Sequence, residues 1–319
     1  MQKIGNIKLN KGAMLAPMAD FTNIAFRTLA REYGSVLTYT ELISVKSIIY
    51  KNSKTKKMLC VSEKEKPVFL QLFGNNPLDF KKAIKIIEEK YADNFAGYDL
   101  NCGCSVVKAL KGKYGVSLMD DSKLVGEIIT QMKQATKKPV TIKMRIGNKK
   151  ENFLEVAKVA EKAGASAICL HARTAKQLYS GNADWSKIKE LKKVVKIPVI
   201  ANGDVKSVQD YIKIKKETIA DYVMIGRGAV GNAFLFKQIK EIESGIKLED
   251  VTKRTKKEIY LEGKKFLELI KEFNLGINNA RGYFLGIASG FSGAKEVRNS
   301  FALSKSIKEL ENNFEKYFN

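Results

Sequence analysis

Side chains able to do chemistry recur in this 319-residue chain as short clusters, each closing an apolar run. They are Gln71, Asp99-Leu100-Asn101-Cys102-Gly103-Cys104, Lys143-Met144-Arg145, His171-Ala172-Arg173, Asn202-Gly203-Asp204 and Gly226-Arg227-Gly228. One such cluster would be a solvated strand end. Six together point to a ligand, because burying unpaired charge is costly. His171 is the sole histidine, so a His-based metal cluster is excluded, and Ser-His-Asp hydrolysis lacks its nucleophile-elbow motif. A thiol remains as the proton carrier, since thiols are mostly protonated at neutral pH and can act as acids without a partner base. Cys104 suits that role, at the start of a long gap that also holds Lys108, Lys111 and Lys113. Cys60 and Cys169 read as small buried hydrophobes, and Cys102 as part of a strand end contacting the barrel. Four cysteines in a chain this long match neither a disulfide framework nor zinc spacing.

The elements that position these clusters are legible. Eight short apolar runs read Met14–Pro17, Val36–Thr40, Val68–Phe73, Tyr98–Asn101, Val140–Arg145, Ala167–His171, Val199–Asn202 and Tyr222–Ile225. With little alternation, they suit parallel strands buried on both faces. Amphipathic helices lie between them; in one, Leu124, Val125, Ile128, Ile129 and Met132 share a face behind Asp121 or Ser122 as N-cap. All five prolines fall at element edges. The expected fold is an α/β (β/α)8 TIM barrel, with a doubly wound open sheet as its rival. Past residue 240 the pattern is helical only, with Ile259, Phe266, Leu267 and Ile270 on one face. The expected division is a catalytic barrel over 1–240 and a small all-helical domain over 245–319, jointed at Ser244-Gly245.

In such a barrel the active site lies at the carboxyl ends of the strands, and a phosphate is often held after strands seven and eight. Asn202-Gly203-Asp204 and Gly226-Arg227-Gly228 occupy those places, offering backbone N–H groups and helix amino termini. Gln71 and Lys143 could hydrogen-bond the polar edge of a flat ring. A phosphorylated planar cofactor follows, and FMN fits better than a dinucleotide because no Gly-x-Gly-x-x-Gly turn follows the first strand.

Composition sets the class. With 45% apolar and 29% charged residues the chain is an ordinary globular protein. It has neither a run of roughly 18 to 20 apolar residues nor a signal-peptide layout, so a cytosolic, non-membrane protein is expected. The net charge of +23 draws polyanions such as nucleic acid, although 49 of the 57 bases are Lys, a skew that biased composition alone can produce. The eight arginines carry more information, since only Arg offers a planar bidentate fork. The surplus is +19 over residues 1–236 and +4 over 237–319.

These strings resemble, in order along nearly the whole chain, the tRNA-dihydrouridine synthases. The resemblance rests on Leu15-Ala16-Pro17-Met18-Ala19 with Phe26-Arg27, Gln71-Leu72-Phe73-Gly74, Asn101-Cys102-Gly103-Cys104, Lys143-Met144-Arg145, His171-Ala172-Arg173-Thr174, Asn202-Gly203-Asp204 and Ile225-Gly226-Arg227-Gly228. Most specific are the Asn-x-Gly-Cys string and Tyr179-Ser180-Gly181-Asn182-Ala183-Asp184-Trp185; in the tail, Ala280-Arg281-Gly282 and Gly293 to Arg298 also match. The resemblance implies an FMN oxidoreductase using NADPH or NADH to reduce a uridine of tRNA to 5,6-dihydrouridine, with a tRNA-binding helical domain. It implies FMN contacts at Pro17, Met18, Ala19, Gln71, Lys143, His171, Asn202, Gly203, Asp204, Gly226 and Arg227. Cys104 would be the proton donor, and Asn101 and Arg145 would line the uracil site. Ser105 stands where the family usually has Pro, and 113–121 departs from the family's usual run. A flavoprotein acting on a free pyrimidine or dihydroorotate, and a non-catalytic RNA-binding barrel, are the alternatives.

Overall fold

In the computed structural model, which describes residues 2–289 and 293–319, eight parallel strands close on one another. They are β3 (Ala13–Leu15), β4 (Thr38–Tyr39), β6 (Val68–Phe73), β7 (Gly97–Cys102), β8 (Val140–Arg145), β9 (Ala167–His171), β10 (Val199–Asn202) and β11 (Tyr222–Ile225). β11 pairs back onto β3 through Ile225 and Leu15, and β4 pairs with β6, so no edge is left. The (β/α)8 barrel expected from the eight apolar runs is the observed fold, and the open sheet is excluded.

Two details differ from expectation. The second run, read as Val36–Thr40, is cut to two residues, and a further strand β5 (Ile43–Ser44) pairs with the far end of β6. Between them the Thr40 hydroxyl accepts from Gln71 N at 3.0 Å and donates to Glu41 O, so a side chain takes the place of a ladder bond. Ahead of the barrel lies a hairpin, β1 (Gln2–Ile4) and β2 (Ile7–Leu9), whose Ile4 and Leu9 pack with the inward-facing Met14, Val36 and Leu37. Its signal is the Gly5-Asn6 turn, with Gly5 at φ +58°.

The strands also alternate more strictly than the sequence reading held. Leu70, Leu72, Tyr98, Leu100, Val140, Ile142 and Met144 belong to the core between barrel and helices. Gln71, Asp99, Asn101, Thr141, Lys143 and Arg145 occupy the intervening positions, with Gln71, Asp99 and Thr141 wholly buried. Side-chain period two sends the polar half of β6, β7 and β8 into the barrel. Lower in the lumen the inward set turns apolar, with Met14, Tyr39, Phe69, Cys169, Ile200 and Tyr222.

The helix Ser122–Ala135 starts where anticipated, the Asp121 carboxylate accepting from Leu124 N at 3.0 Å. Pro77 opens the helix Pro77–Lys90 behind the Asn76 cap. Beyond Gly245 the described residues form four α-helices, Lys256–Glu272, Ile277–Ile287, Ala294–Leu303 and Ile307–Phe318, sharing a cluster of Phe266, Phe284, Phe301 and Phe314. Their apolar core is continuous with the barrel's: Phe26 packs edge-on against Tyr283, with ring centroids 4.9 Å apart. The contact also satisfies backbone donors. Helix Phe234–Glu243 has no side-chain cap of its own residues at Ala233, and the wholly buried Glu262 of the tail accepts from Ala233 N at 3.0 Å and Phe234 N at 3.1 Å.

Backbones meet where Gly231, at φ +70°, faces Gly286; a Cβ on Gly231 would lie 2.1 Å from Ile287 N, and one on Gly286 2.4 Å from Val230 O. Gly231→Ala or Gly286→Ala is therefore expected to lower the unfolding free energy by about 2–3 kcal/mol, measured by urea denaturation. Gly276→Ser, in open space at a helix N-cap, leaves stability unchanged or slightly raised.

Candidate active site

A cavity opens at the carboxyl ends of β3, β8, β9, β10 and β11, lined by Pro17, Met18, Lys143, His171, Tyr179, Asn202, Gly203, Asp204, Gly226 and Arg227 among others. Its shape depends on close approach. Gly203 sits at φ +129°, and a Cβ there would come within 2.7 Å of Ala183 Cβ and 3.3 Å of His171 Cδ2. At the next turn it is Gly228 that has no room, its Cβ falling 2.2 Å from Val205 O, whereas Gly226 tolerates the atom at 3.4 Å from Met18 Sδ. No α-helix begins directly at either turn, contrary to expectation. The helix Val208–Thr218 is closed by its own Ser207/Asp210 capping box, and Gly226 leads into a short turn, Arg227–Ala229. What faces the cavity instead is backbone: the N–H groups of Gly203, Asp204, Gly226 and Arg227 donate to no protein acceptor among the described residues. Unpaired N–H groups in successive turns form an anion-binding concavity.

Cations crowd the same end. Arg173, 1% exposed, donates to Asp204 Oδ2 at 2.6 Å, Gly181 O at 2.6 Å and Ser180 O at 3.3 Å. Asp204 also accepts from Ala183 N at 2.7 Å and lies 3.6 Å from Arg227. Burial alone would raise the Asp204 carboxyl; the Arg173 bond, the Ala183 N–H and the charges of Arg173 and Arg227 together hold it below the ordinary range. Arg227 stacks its guanidinium 4.1 Å over the Tyr179 ring, and Arg145 reaches the same ring at 5.7 Å. The Lys143 ammonium donates to Asn202 Oδ1 at 3.1 Å, the Asn202 amide donating onward to Met224 O. Burial lowers the Lys143 pKa. His171, beside Arg173 at 3.4 Å, is pushed down to about 2 by burial and by Lys143, Arg145, Arg173 and Arg227. Its imidazole is neutral at any working pH.

On the other side of the mouth a chain of hydrogen bonds crosses three strands. Thr141 Oγ1 donates to Asp99 Oδ1 at 2.5 Å and Gln71 Nε2 to Asp99 Oδ2 at 2.6 Å; Asn101 Nδ2 donates to Gln71 Oε1 at 2.8 Å. Asn101 Oδ1 then accepts from the backbone of Gly103 at 3.3 Å and Cys104 at 3.0 Å. The Asp99 carboxyl is pushed up to about 6 by burial, against the pull of Gln71, Thr141 and Lys143. Arg145 closes the rim, donating to Gly103 O, Thr174 O and Leu178 O at 2.9 Å each.

Nine of the eleven residues assigned to the cofactor line one cavity. The other two do not: Ala19 is exposed in the turn after Met18, and Gln71 is wholly buried with its amide spent on Asp99 and Asn101. Asn101, Arg145 and Cys104 form a second group, joined through Gly103, and Cys104 is near enough to act electrostatically on Lys143 and Arg145. Cys169 is buried as expected, but Cys60 is exposed, its thiol directed at Lys56 O on the surface. Cys102 ends β7, yet packs outward with the helices rather than into the lumen. Sequence reasoning quoted Asp99 and Tyr179 within motifs but gave no role to either, nor to Thr141. Asp99 and Thr141 carry a signal in the strict alternation of β7 and β8; Tyr179 carries none beyond its motif.

The His171 shift has a sign. Below pH 6.5 the unfolded chain binds a proton that the folded imidazole refuses, so stability falls as pH drops toward 2 and is unaffected above 6.5. The slope is about 1.4 kcal/mol per pH unit at most. His171→Gln is expected to lose less thermal stability than the parent between pH 7 and 5, by differential scanning calorimetry.

The family model described as Dihydrouridine synthase (Dus) matches residues 14–319. A probable tRNA-dihydrouridine synthase of Aquifex aeolicus is 36% identical over 309 residues, covering 93% of each chain. That of Rickettsia bellii is 34% identical over 307 residues, 95% of this chain and 93% of its own. Among solved structures, the old yellow enzyme homologue from Zymomonas mobilis superposes with a TM-score of 0.53 at 13% identity, over 81% of this chain and 94% of that one. Histamine dehydrogenase from Rhizobium sp. 4-9 gives 0.57 at 15%, over 84% and 50%. At such identities the structures speak for the fold alone, whereas the family match spans both groups of residues. The chain belongs to the dihydrouridine synthase family.

Proposed function

We propose that the chain is a tRNA-dihydrouridine synthase, an oxidoreductase that binds FMN, takes electrons from NADPH or NADH, and reduces a uridine of tRNA to 5,6-dihydrouridine. The observation that carries the reading is the adjacency of two groups at one barrel mouth. One is a cationic cavity rimmed by unpaired backbone N–H groups; the other is an amide, a guanidinium and a thiol held together through Gly103. The first fits FMN. Gly203, Asp204, Gly226 and Arg227 offer N–H groups to a phosphate, Lys143 has donors to spare beside its bond to Asn202, and Pro17 and Met18 give apolar surface. Ala19 and Gln71 lie outside this lining, and Gln71 reaches the second group through Asn101. Bound flavin supplies a hydride and is restored by the nicotinamide.

The second group handles the base. A hydride arriving at uracil C6 leaves negative charge spread toward the ring carbonyls, where Asn101 Nδ2–H and the Arg145 guanidinium can stabilise it. The Cys104 Sγ–H then delivers the proton to C5, so that one hydride and one proton are added across the C5–C6 double bond. The base must leave its stack to reach the mouth, which costs a few kcal/mol and favours loops over duplex. The positive surface, concentrated in the barrel part, attracts the RNA, and the helical part over 245–319 adds tRNA contacts to a catalytic part over 1–240. No helix among the described residues is long and apolar enough to cross a membrane, which suits a cytoplasmic enzyme acting on tRNA.

Cys104→Ala should retain the visible flavin spectrum and lose about 100-fold or more of dihydrouridine formation, scored on unmodified tRNA with free uridine as control. Full turnover in that variant removes the proton-donor role; reduction of free uridine moves the activity to small pyrimidines. Affinity for tRNA should fall more than about tenfold between 50 and 200 mM salt, by filter binding; a flat response marks the positive surface as compositional.

A further inference from the structure

We propose that Asp99 is a positioning residue: its carboxylate fixes the direction of the amide chain through Gln71 and Asn101, and so determines which atom of Asn101 faces the base. The inference deepens the reading above and rests on it for its catalytic consequence, but the polarity follows from the hydrogen-bond geometry with Asp99 ionised, whatever the reaction. An amide can present oxygen or N–H on either side, and Gln71 and Asn101 lie in series with Asn101 Nδ2 2.8 Å from Gln71 Oε1. Two ends remove the freedom. At one end the ionised carboxylate of Asp99 only accepts, at 2.6 Å from Gln71 Nε2 and 2.5 Å from Thr141 Oγ1. At the other the backbone N–H groups of Gly103 and Cys104 only donate.

Turning either amide over would set oxygen against oxygen or N–H against N–H inside the barrel, where an unmatched polar pair is expensive. A single orientation survives. Gln71 gives its N–H to Asp99, Asn101 gives its N–H to Gln71, and Asn101 Oδ1 holds the Cys104 backbone. The second hydrogen on Asn101 Nδ2 is then left without a protein acceptor among the described residues, and it is the donor that a carbonyl oxygen gaining charge needs. The same orientation keeps the residue bearing the thiol tethered to β7. Asp99 touches neither base nor cofactor in this scheme; it acts through the two amides.

The direction can be tested without turnover. Asn101→Asp puts an acceptor against Gln71 Oε1. Gln71 can rotate to answer it only by turning its own oxygen toward Asp99, so the variant is expected to melt several degrees below the parent. Adding Asp99→Asn supplies an N–H at that end, with the Thr141 hydroxyl free to donate to the new amide oxygen or accept from its N–H. The double variant should regain at least half of the lost melting temperature, although Asp99→Asn alone gives no gain. Additive or worse behaviour overturns the proposal. The catalytic consequence is read from FMN-loaded enzyme on unmodified tRNA. Asp99→Leu should lower kcat at least tenfold with KM for tRNA and flavin content within about threefold, and should cost less than threefold further in an Asn101→Ala background. Equal losses in both backgrounds, or a loss confined to flavin content, overturn it. Should the leucine variant fail to fold, the isosteric pair decides the polarity. Absence of dihydrouridine from the parent would instead remove the functional reading while leaving the thermal result standing.

Discussion

Polar side chains enclosed by a barrel have to answer one another, and that constraint organises the mouth of this one. Side chains that point into a closed sheet of eight strands find their protein partners on the opposing strands. Asp99, Gln71, Asn101 and Thr141 solve the problem on one side as a connected set spanning β6, β7 and β8. On the other side the solution is incomplete. Lys143, Arg145, Arg173 and Arg227 meet around a neutral His171, and Asp204 is the carboxylate paired with Arg173 and Arg227. Clustered cations next to unpaired N–H groups are relieved by an anion, which is why this end of the barrel suits a phosphate. Keeping His171 uncharged prevents a further like charge from entering the cluster.

The same economy of partners links the cavity to the tail. The turn Arg227–Ala229 runs within two residues into Gly231, which meets Gly286 backbone to backbone, and Glu262 satisfies the N–H groups at the start of the following helix. Arg254 and the Tyr283 hydroxyl approach that same carboxylate. A helix left uncapped by its own sequence thus borrows its cap from a segment about thirty residues later, and the segment carrying Arg227 is braced by the tail.

Legibility in the sequence followed the kind of physics involved. Parallel strands buried on both faces announce themselves through β-branched runs, and β6, β8, β9, β10 and β11 fall within the residues expected. Proline at 77 and aspartate at 121 mark helix starts by local rules, and both start there. The clusters at strand ends were legible because period two and the carboxyl-end rule together put them at one mouth. What escaped was of two kinds: Thr40 interrupts its own strand through a distant partner, Gln71, whereas the hairpin Gln2–Leu9 and the exposed Cys60 are local features that the apolar-run pattern passes over. Asp99 was quoted as part of a motif without a role because its role exists only through residues twenty-eight and forty-two positions away.

The loop bearing Cys104 holds both of the stretches set apart in the sequence reading, Ser105 and 113–121, and the second of them itself supplies residues that hold the Cys104 backbone. Cys104 is held from both sides of its backbone, its N–H by Asn101 Oδ1 and its carbonyl by Val116 N at 2.9 Å. Gly115, at φ +64°, passes so close beneath that a Cβ would come 2.5 Å from Cys104 O. Neither tether involves the Ser105 side chain, and the stretch between them is free to vary so long as it returns to Gly115. Within it Val106, Val107 and Leu110 are exposed, and Lys108, Lys111 and Lys113 add charge without an acid among them. Substitutions there alter what the rim meets, while the Cys104 backbone stays held between Asn101 and Val116.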